Sequence, residues 1–184
     1  LAMTGPGGVV LEQDTDLIPF IEWATLSKTN NTKIWMQLNH PGRQVFKKMG
    51  GKVISPSNVP LNMGKHSSLF SPPRAMDELE IRDVIQRFTT TATRAEQAGF
   101  DGVEIHAAHG YLLAQFLSPL TNKRNDKWGG ILENRARLLI DVIKSVKEVC
   151  GDNFAIAVKL NSADFQRGGF DIDDAEQVVK MLGE

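Results

Sequence analysis

Three side chains able to hydrogen-bond and to move protons fall within six residues of one another: His106, His109 and Tyr111, the last being the only tyrosine in the 184-residue chain. A neutral imidazole donates one N–H near pH 7, and a phenol can release its proton. Together they suit polarising a carbonyl oxygen and protonating a neighbouring carbon. A structural role for each histidine, satisfying backbone groups at a strand end, stays open on these residues alone. His106-x-x-His109 could also ligate a metal. No further ligand stands nearby except Glu104, expected on the opposite strand face by alternation. Lys159, at the end of another strand, could serve as the Schiff-base lysine of an aldolase.

The elements that position these groups are legible from periodicity. Gly102 to Ala107 reads as a strand entered from a tight turn at Ala98-Gly99-Phe100-Asp101. Lys33–Asn39 and Phe154–Asn161 are strands of the same kind, with apolar groups on both faces. Helices are expected after Asp14 and Thr15, with Leu17, Ile18, Ile21 and Ala24 inward, and from Asp77 to Ala98, where Ile81, Val84, Ile85, Phe88, Ala92 and Ala95 form one stripe. Two more follow. Leu132 to Val149 turns Ala136, Leu139, Ile140, Ile143 and Val146 inward, and a helix capped by Asp171 carries Ala175, Val178, Val179 and Leu182. Helix and strand alternate, which implies a parallel sheet with right-handed crossovers.

Connection lengths point to a working face. Helix-to-strand turns take about three residues, whereas strand-to-helix connections run over 41–76 and 108–130. Long loops at the C-terminal ends of parallel strands are where (β/α)8 barrels and doubly wound sheets bind ligands. Arg43, His40 and His66 within these loops read as loop-holding or exposed groups. Gly5-Pro6-Gly7-Gly8 reads as a turn, since no strand precedes it and no Lys-Ser/Thr follows.

Composition describes an ordinary globular domain: 41% hydrophobic, 23% charged, formal net charge −1. Acid and base are interspersed, so nothing marks a nucleic-acid or anionic-membrane partner. No apolar run approaches the roughly 20 residues of a membrane span. Cys150 is alone and reads as a small hydrophobe. A cytoplasmic protein of one domain is expected, with homo-oligomerisation left open.

The run His106-Ala-Ala-His109-Gly110-Tyr111-Leu112-Leu113-Ala114-Gln115-Phe116-Leu117-Ser118-Pro119, then Asn122, Asn125-Asp126, Gly129-Gly130 and Glu133-Asn134-Arg135, resembles the old yellow enzyme family of flavin oxidoreductases. The His-x-x-His form is more similar to its bacterial ene-reductase and dienoyl-CoA reductase branches than to the branch with His-x-x-Asn. Gln37-Leu38-Asn39-His40-Pro41-Gly42-Arg43 is similar to the family's stretch after the third strand. One departure is Ile131, where the family usually has serine, a better helix N-cap.

The resemblance implies a (β/α)8 TIM barrel, of which this chain covers about three central βα units, the third to fifth strands. A complete barrel takes typically about 250 residues, so the segment is expected to be part of a longer chain, with the phosphate-binding loops elsewhere. It implies FMN as cofactor, NAD(P)H as reductant and an enone or enoyl small-molecule substrate. His106 and His109 would hold the substrate carbonyl oxygen, and Tyr111 would protonate the adjacent carbon. Gln37 and Lys159 would bind the flavin ring, Lys159 standing where the family commonly has arginine and keeping the charge without the planar fork. The segment alone is expected to be inactive and to expose Ile34, Met36, Val103, Ile105, Ile156 and Val158 on its inward side.

Overall fold

Asp101 ties the three main strands together at one end. Its carboxylate accepts the Ile34 backbone N–H at 3.1 Å and is paired with Lys33 and Lys28. Its backbone N–H donates to Ile34 O, and its carbonyl accepts from Ala155 N. Those contacts hold the Asp101 carboxyl down at about 2, the Ile34 N–H being the largest cause and Lys33 the next. A computed structural model describes residues 8–183; the turn expected at Gly5-Pro6-Gly7-Gly8 lies essentially outside them.

The chain runs α1 (Ile18–Ser27), β1 (Trp35–Leu38), β2 (Ile54–Ser55), β3 (Arg74–Ala75), α2 (Glu78–Gln97), β4 (Gly102–Ala107), α3 (Leu112–Leu117), α4 (Leu132–Val149), β5 (Ala155–Leu160) and α5 (Ile172–Leu182). The main sheet has the order β1-β4-β5, all parallel, and β2 pairs with β3 in a separate two-stranded ribbon. Gly102 is needed where β4 meets β5, because a Cβ there would lie 2.5 Å from the Ala155 carbonyl oxygen.

Helix α2 begins at a capping box in which the Asp77 carboxylate accepts Glu80 N–H and the Glu80 side chain accepts Asp77 N–H. Such a cap stabilises by about 1 kcal/mol. Ile81, Val84, Phe88, Ala92 and Ala95 are buried in one core with Met36, Leu38, Val103, Ile105, Leu139, Val142 and Val146. Burying a side chain such as Phe88 stabilises by about 1.5–3 kcal/mol. The helices α2 and α4 thus cover one face of the sheet. α4 starts at Ile131 without a side-chain cap, whereas Asp171 caps α5 by accepting Asp174 N–H at 3.0 Å.

The structure corrects several expectations. Met36, Val103 and Ile105 do not face the inward side; they are buried beneath the helices, and Ile34, Ile156 and Val158 pack against the same core. The reason is strand alternation: Gln37, Glu104 and His106 take the opposite face, so their apolar neighbours must take this one. Helix α1 starts at Ile18 after an uncapped Leu17, not at a cap on Asp14 or Thr15, with Asp16 accepting Ile18 N–H. Apolar groups lie all round α1, and Phe20 and Ala24 face the core while Ile18 and Ile21 are exposed. Val179 on α5 is likewise exposed. The 108–130 connection contains α3, six residues all buried, the polar Gln115 included, and hence with no exposed side to give a helical period.

Candidate functional site

Strand β4 delivers the acid–base residues at its C-terminal end. His106 is buried, and its Nδ1 accepts the Ala108 backbone N–H at 3.2 Å. With a lone pair on Nδ1, the neutral ring carries its proton on Nε2, which lies 3.3 Å from Nδ1 of His109. The Tyr111 ring stands edge-on to His106 with centroids 5.1 Å apart. Burial lowers the His106 pKa, and the neighbouring His109 and Lys159 charges push the same way against Glu104. His106 is therefore a neutral donor at pH 7.

A sharp reversal turns the chain from β4 into α3. His109 and Gly110 both have left-handed backbones, φ 57° and 69°. A non-glycine residue in that region costs energy, and two polar side chains hold it. Asn161, just past β5, accepts His109 N–H at 3.0 Å, and Gln44, in the loop after β1, donates to His109 O at 2.7 Å. Tyr111 then occupies the N-cap of α3.

The second group lies on the same sheet face. Register pairs Gln37 with Glu104 and His106 with Lys159, and Glu104 and His106 are two residues apart on one strand. Gln37, Glu104, His106 and Lys159 therefore project to the side away from the helices. Gln37 Nε2 donates to Glu104 Oε1 at 2.5 Å, and Lys159 Nζ is 3.8 Å from the same oxygen. This overturns the expectation that Glu104 faces away from the histidines. Residues two apart in a strand share a face, so Glu104 sits among the candidate site residues, engaged by Gln37 and Lys159 rather than by an imidazole.

Other residues of the motif build the scaffold. Gln115 is buried and uses its amide fully: Oε1 accepts Arg43 N–H and Ser55 Oγ–H, and Nε2 donates to Pro41 O and Gly110 O. A Cβ at Gly42 would collide with this amide. Asn122 Nδ2 donates to Phe116 O and Trp128 O at 2.8 Å each. Buried Arg135 donates to Leu117 O and Gly130 O and pairs with Asp174. In the loop after β1, His40 Nδ1 accepts Gly42 N–H and Arg43 donates to Val59 O and Pro60 O, the loop-holding roles expected of them, and His66 is exposed. Gln44, Glu104, Gln115 and Asn161 were not singled out in the sequence as site residues. Strand parity was the available signal for Glu104.

A cleft of about 1000 Å³ runs beside β1 between Val10, Trp23, Gln37 and Arg87. Its walls do not include His106, His109 or Tyr111. It is the gap along the strand edge that has no partner among the described residues, so the chemistry is placed by the side-chain clusters instead. There the donor set fits the polar edge of a flavin: an amide offers an acceptor and a donor, and an ammonium offers positive charge. Both stand at the C-terminal ends of parallel strands, next to a buried imidazole.

Comparison with known proteins agrees. The family model described as the NADH:flavin oxidoreductase / NADH oxidase family matches residues 7–184. The chain is 41% identical over 165 residues to the "NADH-dependent flavin oxidoreductase nadA" of Aspergillus parasiticus, covering 90% of this chain and 37% of that protein. It superposes on the 2-naphthoyl-CoA reductase–2-naphthoyl-CoA complex with TM-score 0.88 and 32% identity, over 95% of this chain and 28% of that one. The old yellow enzyme homologue from Zymomonas mobilis gives TM-score 0.78 and 32% identity, over 92% and 50%. Against the curated relatives the chain spans less than half of their length, from 22% to 45%. These neighbours are TIM-barrel proteins, and the parallel sheet with its covering helices matches part of their barrels. The chain belongs to the NADH:flavin oxidoreductase / NADH oxidase family, the old yellow enzyme family, whose cofactor is FMN.

Proposed function

We propose that the protein is an NAD(P)H-dependent reductase of activated C=C bonds in α,β-unsaturated carbonyl compounds, and that this segment supplies the third to fifth βα units of its (β/α)8 barrel. The observation that carries the reading is the convergence of His106, His109 and Tyr111 at the end of β4, beside the lumenal row Gln37, Glu104 and Lys159. FMN, when bound, supplies the hydride. His109, with its Nε2–H left free by the tautomer order of the pair, donates to the substrate carbonyl oxygen. His106 donates its Nε2–H to the same oxygen once that oxygen replaces His109 Nδ1 as its acceptor, so the pair stabilises the charge that develops there. Tyr111 delivers the proton to the carbon next to the carbonyl, so hydride and proton together saturate the double bond. Gln37 and Lys159 orient the flavin ring edge.

An enoyl thioester suits the same residues as an enone, since both present one carbonyl oxygen conjugated to the double bond; the solved 2-naphthoyl-CoA reductase complex holds 2-naphthoyl-CoA, a thioester whose carbonyl is conjugated to an aromatic ring. The active-face loops are 41–76 and 108–130, within one domain. No helix among the described residues is long and apolar enough to cross a membrane; we place the protein in the cytoplasm, without a nucleic-acid partner. The test is an anaerobic two-step assay on the purified protein. Flavin absorbance should bleach with NAD(P)H and return on adding cyclohexenone or an enoyl thioester. A colourless protein that takes up no FMN would overturn the reading.

A further inference from the structure

We propose that Glu104 is a positioning residue for the flavin: it fixes which end of the Gln37 amide faces the cofactor and offsets part of the Lys159 charge. The inference rests on the flavin reading above and extends it to a residue that none of the motif matches single out. Three observations carry it. Glu104 shares a sheet face with Gln37, His106 and Lys159, by register and by strand parity. Its Oε1 accepts Gln37 Nε2–H at 2.5 Å and lies 3.8 Å from Lys159 Nζ. And its side chain is only about one-third exposed, so solvent screens the charge incompletely.

A carboxylate only accepts hydrogen bonds. The atom of Gln37 that faces Glu104 must then be the amide nitrogen, which leaves Oε1 as the end free to accept from a ring N–H. Without Glu104 the amide can turn either way. The charge effect is separate. A cation beside a flavin ring favours the reduced, anionic form, and a carboxylate beside that cation opposes it. Lysine concentrates its charge on one ammonium, so a single carboxylate oxygen at 3.8 Å offsets it directly.

The experiment compares Glu104→Gln and Glu104→Asp in the FMN-loaded protein, reading the flavin midpoint potential, the affinity for sulfite and the affinity of the apoprotein for FMN. Glu104→Gln removes the charge. Sulfite, an anion that adds to oxidised flavin, should bind about tenfold more tightly. The potential should rise by about 30 mV, the two-electron equivalent of that factor. Glu104→Asp keeps the charge and shortens the reach to Gln37, so the potential should stay near the parent value while FMN affinity falls. A merely structural glutamate would move the melting temperature in both variants and the potential in neither.

A Glu104→Gln protein that is folded and yellow, with unchanged potential and sulfite affinity, overturns the charge role. Undiminished FMN affinity in Glu104→Asp overturns the positioning role. Should Glu104→Gln fail to fold, Lys159→Gln reads the same pair from the other side and must lower the potential; an unchanged value there overturns the proposal. A parent protein that binds no FMN contradicts the flavin reading instead, which keeps the two failures apart.

Discussion

His106 Nε2 and His109 Nδ1 lie 3.3 Å apart with the two rings at 90°, while Ala108 N–H occupies the other nitrogen of His106. The order of donors is then fixed along the pair: Ala108 to His106, His106 to His109, and His109 Nε2–H outward. The histidines act as one unit, because an oxygen that takes the His106 proton must replace His109 as its acceptor.

The consequence is measurable as non-additivity. His106→Ala or His109→Ala in the FMN-loaded protein should weaken binding of a phenolate ligand by about 1.5–3 kcal/mol, the size of a hydrogen bond to a charged group. The double variant should cost less than the sum, by roughly 0.5 kcal/mol or more. Strictly additive losses would mean two independent donors. Stoichiometric zinc or iron lost with either substitution would mean a metal site.

Tyr111 separates the two half-reactions. Tyr111→Phe keeps the ring that packs edge-on to His106 and removes only the hydroxyl. Reduction of the flavin by NAD(P)H should proceed at nearly the parent rate, with alkene reduction slowed about 10²-fold or more. Stopped-flow traces of each half-reaction decide it, and equal slowing of both would assign Tyr111 to structure.

His40 should give the protein a pH-dependent stability. Burial lowers its pKa from 6.5 to about 4, with the Arg87 charge acting in the same direction. Its Nδ1 accepts Gly42 N–H, a bond the protonated ring cannot keep. Between those two values the unfolded chain binds a proton that the folded chain refuses, so stability falls as pH drops from 6.5 towards 4. His40→Gln should flatten that part of a urea-midpoint-against-pH curve. The same slope in both proteins would exclude His40 as its source.

The parts of this molecule that could be read from sequence are those whose pattern has a single physical solution. Asp77 and Glu80 frame an apolar stripe that fits only an amphipathic helix, and α2 is found at 78–97 with its capping box. Gly99 and Asp101 enclose a turn whose length forces β4 to start at once. Leu112 to Leu117 have no such solution, because a run buried on every side carries no period. Glu104 failed for another reason. Residues two apart on a strand share a face, so correct parity sets Glu104 beside His106, the reverse of the expectation from alternation, and Gln37 and Lys159 each contact it there. Gln115 was visible as part of a motif and invisible as a hub, since three of its four partners, Pro41, Arg43 and Ser55, come from two segments 60 or more residues away.

That hub yields a final prediction. The Gln115 side chain is 1% exposed, and its two amide N–H groups are committed to Pro41 O and Gly110 O. Gln115→Glu preserves shape but puts an acceptor against those two carbonyl oxygens. An ionised carboxylate there is buried, unpaired and repelled, which costs about 3 kcal/mol or more. The carboxyl will avoid this by protonating, so its folded pKa is raised above the unfolded value. The destabilisation is then full above the folded pKa and is relieved as pH falls towards the unfolded one. Urea unfolding of Gln115→Glu should show a deficit at pH 7 that shrinks by pH 5, whereas Gln115→Leu, which strands the same carbonyls without a charge, should show a pH-independent loss of about 1–3 kcal/mol for the unsatisfied groups. Gly110 adjoins His109, so both variants should also weaken phenolate binding. A Gln115→Glu protein as stable as the parent at pH 7 would show that the amide donors are not what joins the loops after β1 and β4.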